Sequence, residues 1–258
     1  MDSLDSETRA LVLQALTKRL DINGKKKTLT QVRQIIAKHD NAIRDWLVTA
    51  VATSYVQGAN VMYADIRKLG IRPQDSNVVT KAFSPELIRQ VDLLTVHKDA
   101  INALASDAYL DFANGMNGVV RSVEKTLNDA LKRQIRAINI SKQITGTDVR
   151  TIAREVEQTI GQQGFSVLVD RGGRQWSLRR YSEMLTRTHS IRAANEGTIN
   201  RAAEYGVDLV QVSRHGGACP ICVPFEGNVY SLSGKSKKYP PYHPNCRHSL
   251  LPRPFIDN

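Results

Sequence analysis

Cys219-Pro220-Ile221-Cys222 and, further on, His243-Pro244-Asn245-Cys246 hold all three cysteines of this 258-residue chain. Each arm runs ligand, Pro, spacer, Cys. Proline fixes φ at the first turn position, so the two ligand side chains of an arm converge, and nearby N–H groups can bond thiolate sulfur. The pattern predicts one tetrahedral zinc site made by Cys219, Cys222, His243 and Cys246. His243 is preferred because its arm mirrors the first. His248 is the alternative fourth ligand and His215 a more distant one. A redox reading of CxxC needs a helix start after a strand, whereas Pro220, Pro224 and Glu226-Gly227-Asn228 read as loop.

Three thiolates and an imidazole fill a tetrahedron and leave no position for water, so the Zn2+ is read as structural and no catalytic residue is assigned. Glu226, the only carboxylate between the arms, is read as a turn residue beside Gly227 and Asn228. Structural zinc contributes on the order of 10 kcal/mol to folding, enough to clamp a region of ~50 residues with little core of its own. The chain has no GxSxG, no Walker A loop, no HExxH and no GxGxxG in a strand-to-helix setting, and His189 sits in a helical stretch without a triad partner at a diagnostic spacing.

Working outward from the arms, residues 207–212 alternate as a strand leading into Cys219, and Ser249-Leu250-Leu251-Pro252 reads as a short strand after Cys246. Upstream, Phe165 to Asp170 and Arg174 to Leu178 flank Arg171-Gly172-Gly173 as a β-hairpin. Ser177 is placed to cap a helix from Leu178 to about Tyr205, stopped by Gly206.

Everything before Gly164 reads as long helices. Leu4, Leu11, Leu13, Leu16 and Leu20 mark the first, and Gly24 with Lys25-Lys26-Lys27 is read as its break, Thr28 or Thr30 capping the next. Ile43, Trp46, Leu47, Val51, Tyr55, Met62, Ile66 and Leu69 share a side of a helix ending at Gly70, with Trp46 read as core. A connector, Pro73 to Asn77, precedes Ser84-Pro85-Glu86, an N-cap followed by Pro at the first helical position. Helix then runs to about Ile140 with a break near Gly115–Gly118, and Met116, Val120, Val123, Leu127, Leu131, Ile135 and Ile138 form a seam. Val149, Ile152, Val156 and Ile160 mark another helix. The fold class is α+β: a long, mainly α-helical segment, 1–163, then a small zinc-stabilised α+β module, 164–258.

With 41% apolar residues the chain can bury a sizeable core. No apolar run approaches ~18 residues and the N-terminus is acidic, so neither a membrane span nor a signal peptide is expected. Cysteines gathered at one metal-like site fit a reducing compartment. The net charge of +11 predicts attraction to a polyanion: nucleic acid, a membrane surface or an acidic protein face. Lys25, Lys26, Lys27, Arg171, Arg174, Lys235, Lys237 and Lys238 are candidate phosphate contacts, with a solvated loop or hairpin tip as the plain alternative.

Val169 to Leu178, with Tyr181, Met184 and Arg187-Thr188, then Cys219-x-x-Cys222 and Pro241-Tyr242-His243-Pro244-Asn245-Cys246-Arg247, resemble the minor capsid proteins of tailed bacteriophages. The likeness is to the phage minor capsid protein 2 family and the related Mu F-like head-morphogenesis domain, over about residues 165–252. The helices before it resemble the family only in general character. Many relatives end the motif Cys-Arg-Cys, where this chain has Cys246-Arg247-His248; the change keeps a zinc ligand and raises the standing of His248. Some relatives carry fused toxin or transferase domains, and the unadorned form is expected here.

The resemblance implies a minor component of the phage head, made in the host cytoplasm and located near the portal. It would be oligomeric in the particle and bound to portal, major capsid or scaffolding protein, with packaged double-stranded DNA as a further partner. A basic zinc-containing nucleic-acid-binding protein is the alternative. A metal-dependent nuclease or other hydrolase using Glu226, His215 and the metal is the second alternative.

Overall fold

The computed structural model describes residues 2–73, 75–90, 94–141, 146–163, 165–169, 173–234 and 238–253. Gln74, Gly164, Asp170, Arg171, Gly172, Lys235 and Lys237, and the side chains of Ile138 and Ile140, lie outside the described residues. The elements run α1 (Asp2–Leu16), α2 (Ile22–Lys68), α3 (Pro85–Gln90), α4 (Thr95–Ser141), α5 (Gly146–Gln163), β1 (Ser166–Val169), β2 (Gln175–Ser177), α6 (Leu178–Glu204), β3 (Leu209–Val212), β4 (Val229–Ser231) and β5 (Leu250–Pro252). The class is α+β, with long helices and two small antiparallel sheets. The chain forms two compact units, one from Met1–Ile43 and Leu110–Glu183, the other from Arg44–Tyr109 and Met184–Asn258.

In the first unit, Leu4, Val12 and Leu16 of α1 join Met116, Val119, Val123 and Leu127 of α4 and Ile152, Val156 and Ile160 of α5 in one core. The three-and-four spacing puts these residues on one stripe of each helix, which is why the α5 positions read from sequence are buried. Along the α4 seam Met116, Val123 and Leu127 are buried and Val120 and Leu131 partly so, whereas Ile135 is 47% exposed. The break expected at Gly24 and the lysines falls earlier, because Asp21 Oδ1 accepts the Gly24 N–H (2.6 Å) and so caps a helix that begins at Ile22. Thr28 and Thr30 do not cap; their hydroxyls donate one turn back to the carbonyls of Gly24 and Lys26. Nor does α4 break at its glycines. Gly115 makes room for the Tyr181 ring and Gly118 for the backbone of Val167, so both serve close approach within a continuous helix. The hairpin forms as expected, with Leu168 opposite Trp176.

In the second unit, Met62, Tyr63 and Ile66 of α2 pack with Ala202 and Tyr205 of α6 and with Val207, Val210, Val212 and Leu250. The sheet order is β4-β3-β5, both pairs antiparallel. β4 was not legible in the sequence: three residues between turns show too little alternation to stand out. Helix α2 ends at a left-handed Gly70, where Ile71 N–H bonds the Ile66 carbonyl (3.2 Å). Ser84 Oγ caps α3 by accepting the Leu87 N–H (3.1 Å). Trp46, expected in the core, is 47% exposed, and Leu69 is 49% exposed. Both sit at the margin of a stripe whose centre is Val51, Tyr55, Met62 and Ile66.

Helices α2 and α6 approach closely where Gly58 meets the Ala194 backbone and Gly197 meets that of Tyr55. A methyl group at either position would enter the backbone of the opposite helix. Gly197→Ala is therefore expected to cost about 1–3 kcal/mol by overpacking, seen as a lower urea midpoint with an unchanged m-value.

One turn further along α6, Arg201 is fully buried. Its guanidinium lies over Phe83 (4.1 Å), Tyr63 (4.7 Å) and Tyr205 (5.1 Å), and it donates to Glu204 Oε2 (2.6 Å) and to the carbonyls of Val79 (2.7 Å) and Lys81 (3.0 Å). Glu204 Oε1 also meets His97 Nε2 (3.0 Å), whose Nδ1 lies 2.7 Å from the Tyr55 hydroxyl. Burial opposes the charge of Glu204, but hydrogen bonds from His97 and Arg201 outweigh it and hold its pKa below the usual carboxylate value. A lowered folded-state pKa gives stability that is complete above the unfolded value and is lost as pH falls through the folded one. Glu204→Gln should therefore cost most at neutral pH and least in acid, measured as urea midpoints from pH 7 down to pH 3.

Candidate metal centre

The two arms form the same turn. Cys222 N–H bonds the Cys219 carbonyl (2.9 Å) and Cys246 N–H bonds the His243 carbonyl (3.1 Å), with the prolines at the first turn position. Asn245 takes a left-handed φ of 63°, which Asn tolerates better than most residues. β3 and its extension hold the flanks of both arms. Val212 N–H bonds the Asn228 carbonyl (2.9 Å) on one side, and Ser213 N–H bonds the Ser249 carbonyl (2.9 Å) on the other.

Helix α6 fixes the second arm from the opposite direction. Arg187 Nη1 donates to Asn245 Oδ1 (3.0 Å), and Thr188 Oγ1 accepts the Asn245 N–H (3.3 Å). Asn195 Nδ2 donates to the Pro240 carbonyl (3.0 Å), while its Oδ1 accepts the Leu250 N–H (2.9 Å). These roles were missed in the sequence, where Arg187-Thr188 stood out only by resemblance and Asn195 not at all. A helical Asn facing inward carries no signal of the loop that it serves.

The turns bring five donors together. His243 Nε2 lies 3.1 Å from Cys219 Sγ and 3.0 Å from Cys222 Sγ. Cys222 Sγ lies 3.8 Å from Cys246 Sγ, and Cys246 Sγ 3.6 Å from His248 Nδ1. The donors form two overlapping triads that share Cys222, one with Cys219 and His243, the other with Cys246 and His248. Cys222, Cys246 and His248 are buried, and Cys219 and His243 are partly exposed. A third triad joins His215, Glu226 and His248. Glu226 is the turn residue that its sequence context implies: with φ −60° and ψ 127° it precedes Gly227 (φ 76°) in a turn closed by the Asn228 N–H on the Phe225 carbonyl (3.1 Å), and its side chain has a further role. Its Oε1 accepts the His215 backbone N–H (2.9 Å) and meets His248 Nε2 (2.9 Å). Those two hydrogen bonds hold its carboxyl below the ordinary value. Phe225 and Tyr242 stack beside the arms, with centroids 4.3 Å apart and planes 17° apart.

Burial and the neighbouring sulfurs push the Cys222 thiol up to about 12. Burial also opposes ionisation of Cys219, but hydrogen bonds from the Cys222 and Ile221 backbone outweigh it and hold that thiol below its ordinary value. A buried thiolate next to two other sulfurs is costly without a cation, and zinc is the ion whose chemistry suits three thiolates and an imidazole. The donor set therefore fits zinc. Five of the eight candidate phosphate contacts are among the described residues. Lys25 turns toward α4, 2.8 Å from Asn128 Oδ1 and 3.5 Å from Glu124, while Lys26, Lys27, Arg174 and Lys238 are exposed.

The α+β fold, the mirrored Cys/His arms and the hairpin leading into α6 define a mainly helical protein with a small sheet beside a Cys/His cluster. The family model for phage minor capsid protein 2 matches residues 74–257, and the chain belongs to that family. The match begins well before residue 165, so α3, α4 and α5 belong to the shared region and are more than a general likeness. A protein named "Structural protein" from Lactococcus phage LL-H is 22% identical over 205 residues, covering 69% of this chain and 55% of that protein. The chain thus spans about half the length of the curated relative that it matches. No solved structure matches.

Asn195→Ala would leave the Pro240 carbonyl and the Leu250 N–H without their partner, at roughly 2 kcal/mol or more. The expected result is a lower thermal midpoint and faster labelling of Cys222 and Cys246 by a thiol reagent, read by mass spectrometry. Unchanged labelling would show that α6 does not hold the second arm.

Proposed function

We propose that this chain is a structural component of a tailed-phage head, working through its surfaces rather than by turnover. The family match over residues 74–257 carries this reading. In it, Cys219, Cys222, Cys246 and one of the two imidazoles, His243 or His248, hold a structural Zn2+ that clamps the segment joining β3 to β5. The helices of residues 1–163 supply contact surface for portal, major capsid or scaffolding protein, in several copies near the portal. The +11 charge and the exposed Lys26, Lys27, Arg174 and Lys238 support a second contact, with the phosphate backbone of packaged DNA. A hydrolase would need Glu226 as its base, but that carboxylate already bonds His215 and His248. No helix of the described residues is long and apolar enough to cross a membrane.

Purified phage heads should contain this chain at a fixed ratio to portal protein, and the two should co-purify in high salt. Elemental analysis should find one zinc per chain. A DNA contact through those four side chains predicts affinity falling roughly 10²-fold between 50 and 200 mM salt. Absence of the chain from purified particles would sink the structural reading.

A further inference from the structure

Two stretches far apart in sequence meet along α4 and gather most of the chain's charge. Residues 17–27, the corner between α1 and α2, and residues 121–136 of α4 hold ten basic and three acidic side chains, seven of the eleven net positive charges. Both stretches belong to the first unit. Three contacts set them side by side. The Leu20 N–H donates to Gln134 Oε1 (2.9 Å), Lys25 Nζ donates to Asn128 Oδ1 (2.8 Å), and Leu16, Leu20 and Leu29 share a core with Val123, Leu127 and Ala130.

The basic residues of α4 are ordered. Arg121, Lys125, Lys132 and Arg136 recur at intervals of four and seven, which confines them to an arc of about 60° and a line about 22 Å long. The line runs opposite the face that buries Val123, Leu127 and Ala130, and Asn128, which holds Lys25, borders it. All four side chains are exposed, as are Lys18, Arg19, Lys26 and Lys27 at the corner. Among the described residues the ion pairs of this surface are Lys25 with Glu124 (3.5 Å) and Arg133 with Glu155 (2.6 Å), so those eight cations have no carboxylate partner there. Arg121 with Lys125, and Lys132 with Arg136, are like-charge pairs four apart, an arrangement that costs a helix stability and that a polyanion relieves.

A straight line of cations suits a linear polyanion. A duplex carries a phosphate every 3.4 Å along each strand, so a line of this length faces about six of them. A membrane surface would need an apolar wedge beside the cations, and among them stands only Ile135. Single strands would need aromatic platforms, and neither stretch contains Phe, Trp or Tyr. We infer that the α1–α2 corner and the outer line of α4 form one surface for the phosphate backbone of double-stranded DNA, bound without base preference. The inference rests on the reading of a DNA contact and moves its centre to α4, whose basic residues the sequence alone did not single out.

Full-length protein and two charge-matched variants, titrated with a labelled random-sequence duplex from 50 to 200 mM salt, test it. Lys125→Gln/Lys132→Gln/Arg136→Gln removes three charges from the line, and Arg72→Gln/Lys81→Gln/Lys238→Gln removes three exposed charges from the second unit. Each phosphate contact adds about 0.9 to the slope of log affinity against log salt, so the first variant should lower that slope by about 2.7 and weaken binding at 50 mM salt by about 10²-fold or more. The second should stay within a few-fold of wild type, and both should keep the wild-type thermal midpoint because every substituted side chain is exposed. Equal losses in the two variants would overturn the assignment of this surface while leaving a DNA contact in place. Loss of portal co-purification in the first variant with DNA affinity intact would assign the surface to a protein partner and overturn it too. Failure of the wild type to bind the duplex at 50 mM salt would overturn both the surface and the DNA contact.

Discussion

The segment from β3 to β5 has three short strands and a long run of loop, and its backbone must find partners that it cannot supply itself. Asn195 provides the decisive pair. Its amide donates to Pro240 before the second arm and accepts from Leu250 after it, both buried contacts. A buried carbonyl or N–H without a partner costs more than an ordinary hydrogen bond gains, so this single side chain constrains where the arm can lie. Arg187 and Thr188, about two turns earlier on the same helix, hold Asn245 within the arm itself. Helix α6 is the ruler against which the second arm is set.

The helix can serve that purpose because its own position is fixed. Gly58 and Gly197 bring α2 and α6 to backbone contact, and the next turn of α6 buries Arg201 among three aromatic rings and two loop carbonyls. A buried guanidinium is tolerable only because Glu204, the rings and the carbonyls satisfy it together, so the 79–83 segment, α2 and α6 are tied at one point. Packing, charge and the placing of the second arm thus depend on successive turns of one helix.

Much of this was legible beforehand. Val149, Ile152, Val156 and Ile160 announced the buried face of α5 through their spacing, and Ser84-Pro85 and Gly70 marked helix ends through local backbone chemistry. The errors share a cause. Gly24, Gly115 and Gly118 look like breaks because glycine disfavours helix by about 1 kcal/mol, yet an Asp21 cap and close approach of Tyr181 and Val167 outweigh that local preference. Trp46 looks like core because of its size, but its angular position on α2 sets it at the margin. β4 exists only because β3 offers it a partner.

The knuckle turns belong to the sequence, since Pro220 and Pro244 fix φ and the three-residue spacing closes each turn without help from afar. The pairing of donors within each arm follows from those turns. How the two arms and Glu226 come together does not. Glu226 reaches His248 at 2.9 Å, and that proximity arises from the pairing of β3 with the strands on either side of it. Local chemistry determined the donors; long-range register decided their roles, because a side chain's hydrogen-bond partner is set by a chain segment that its own sequence neighbourhood does not contain.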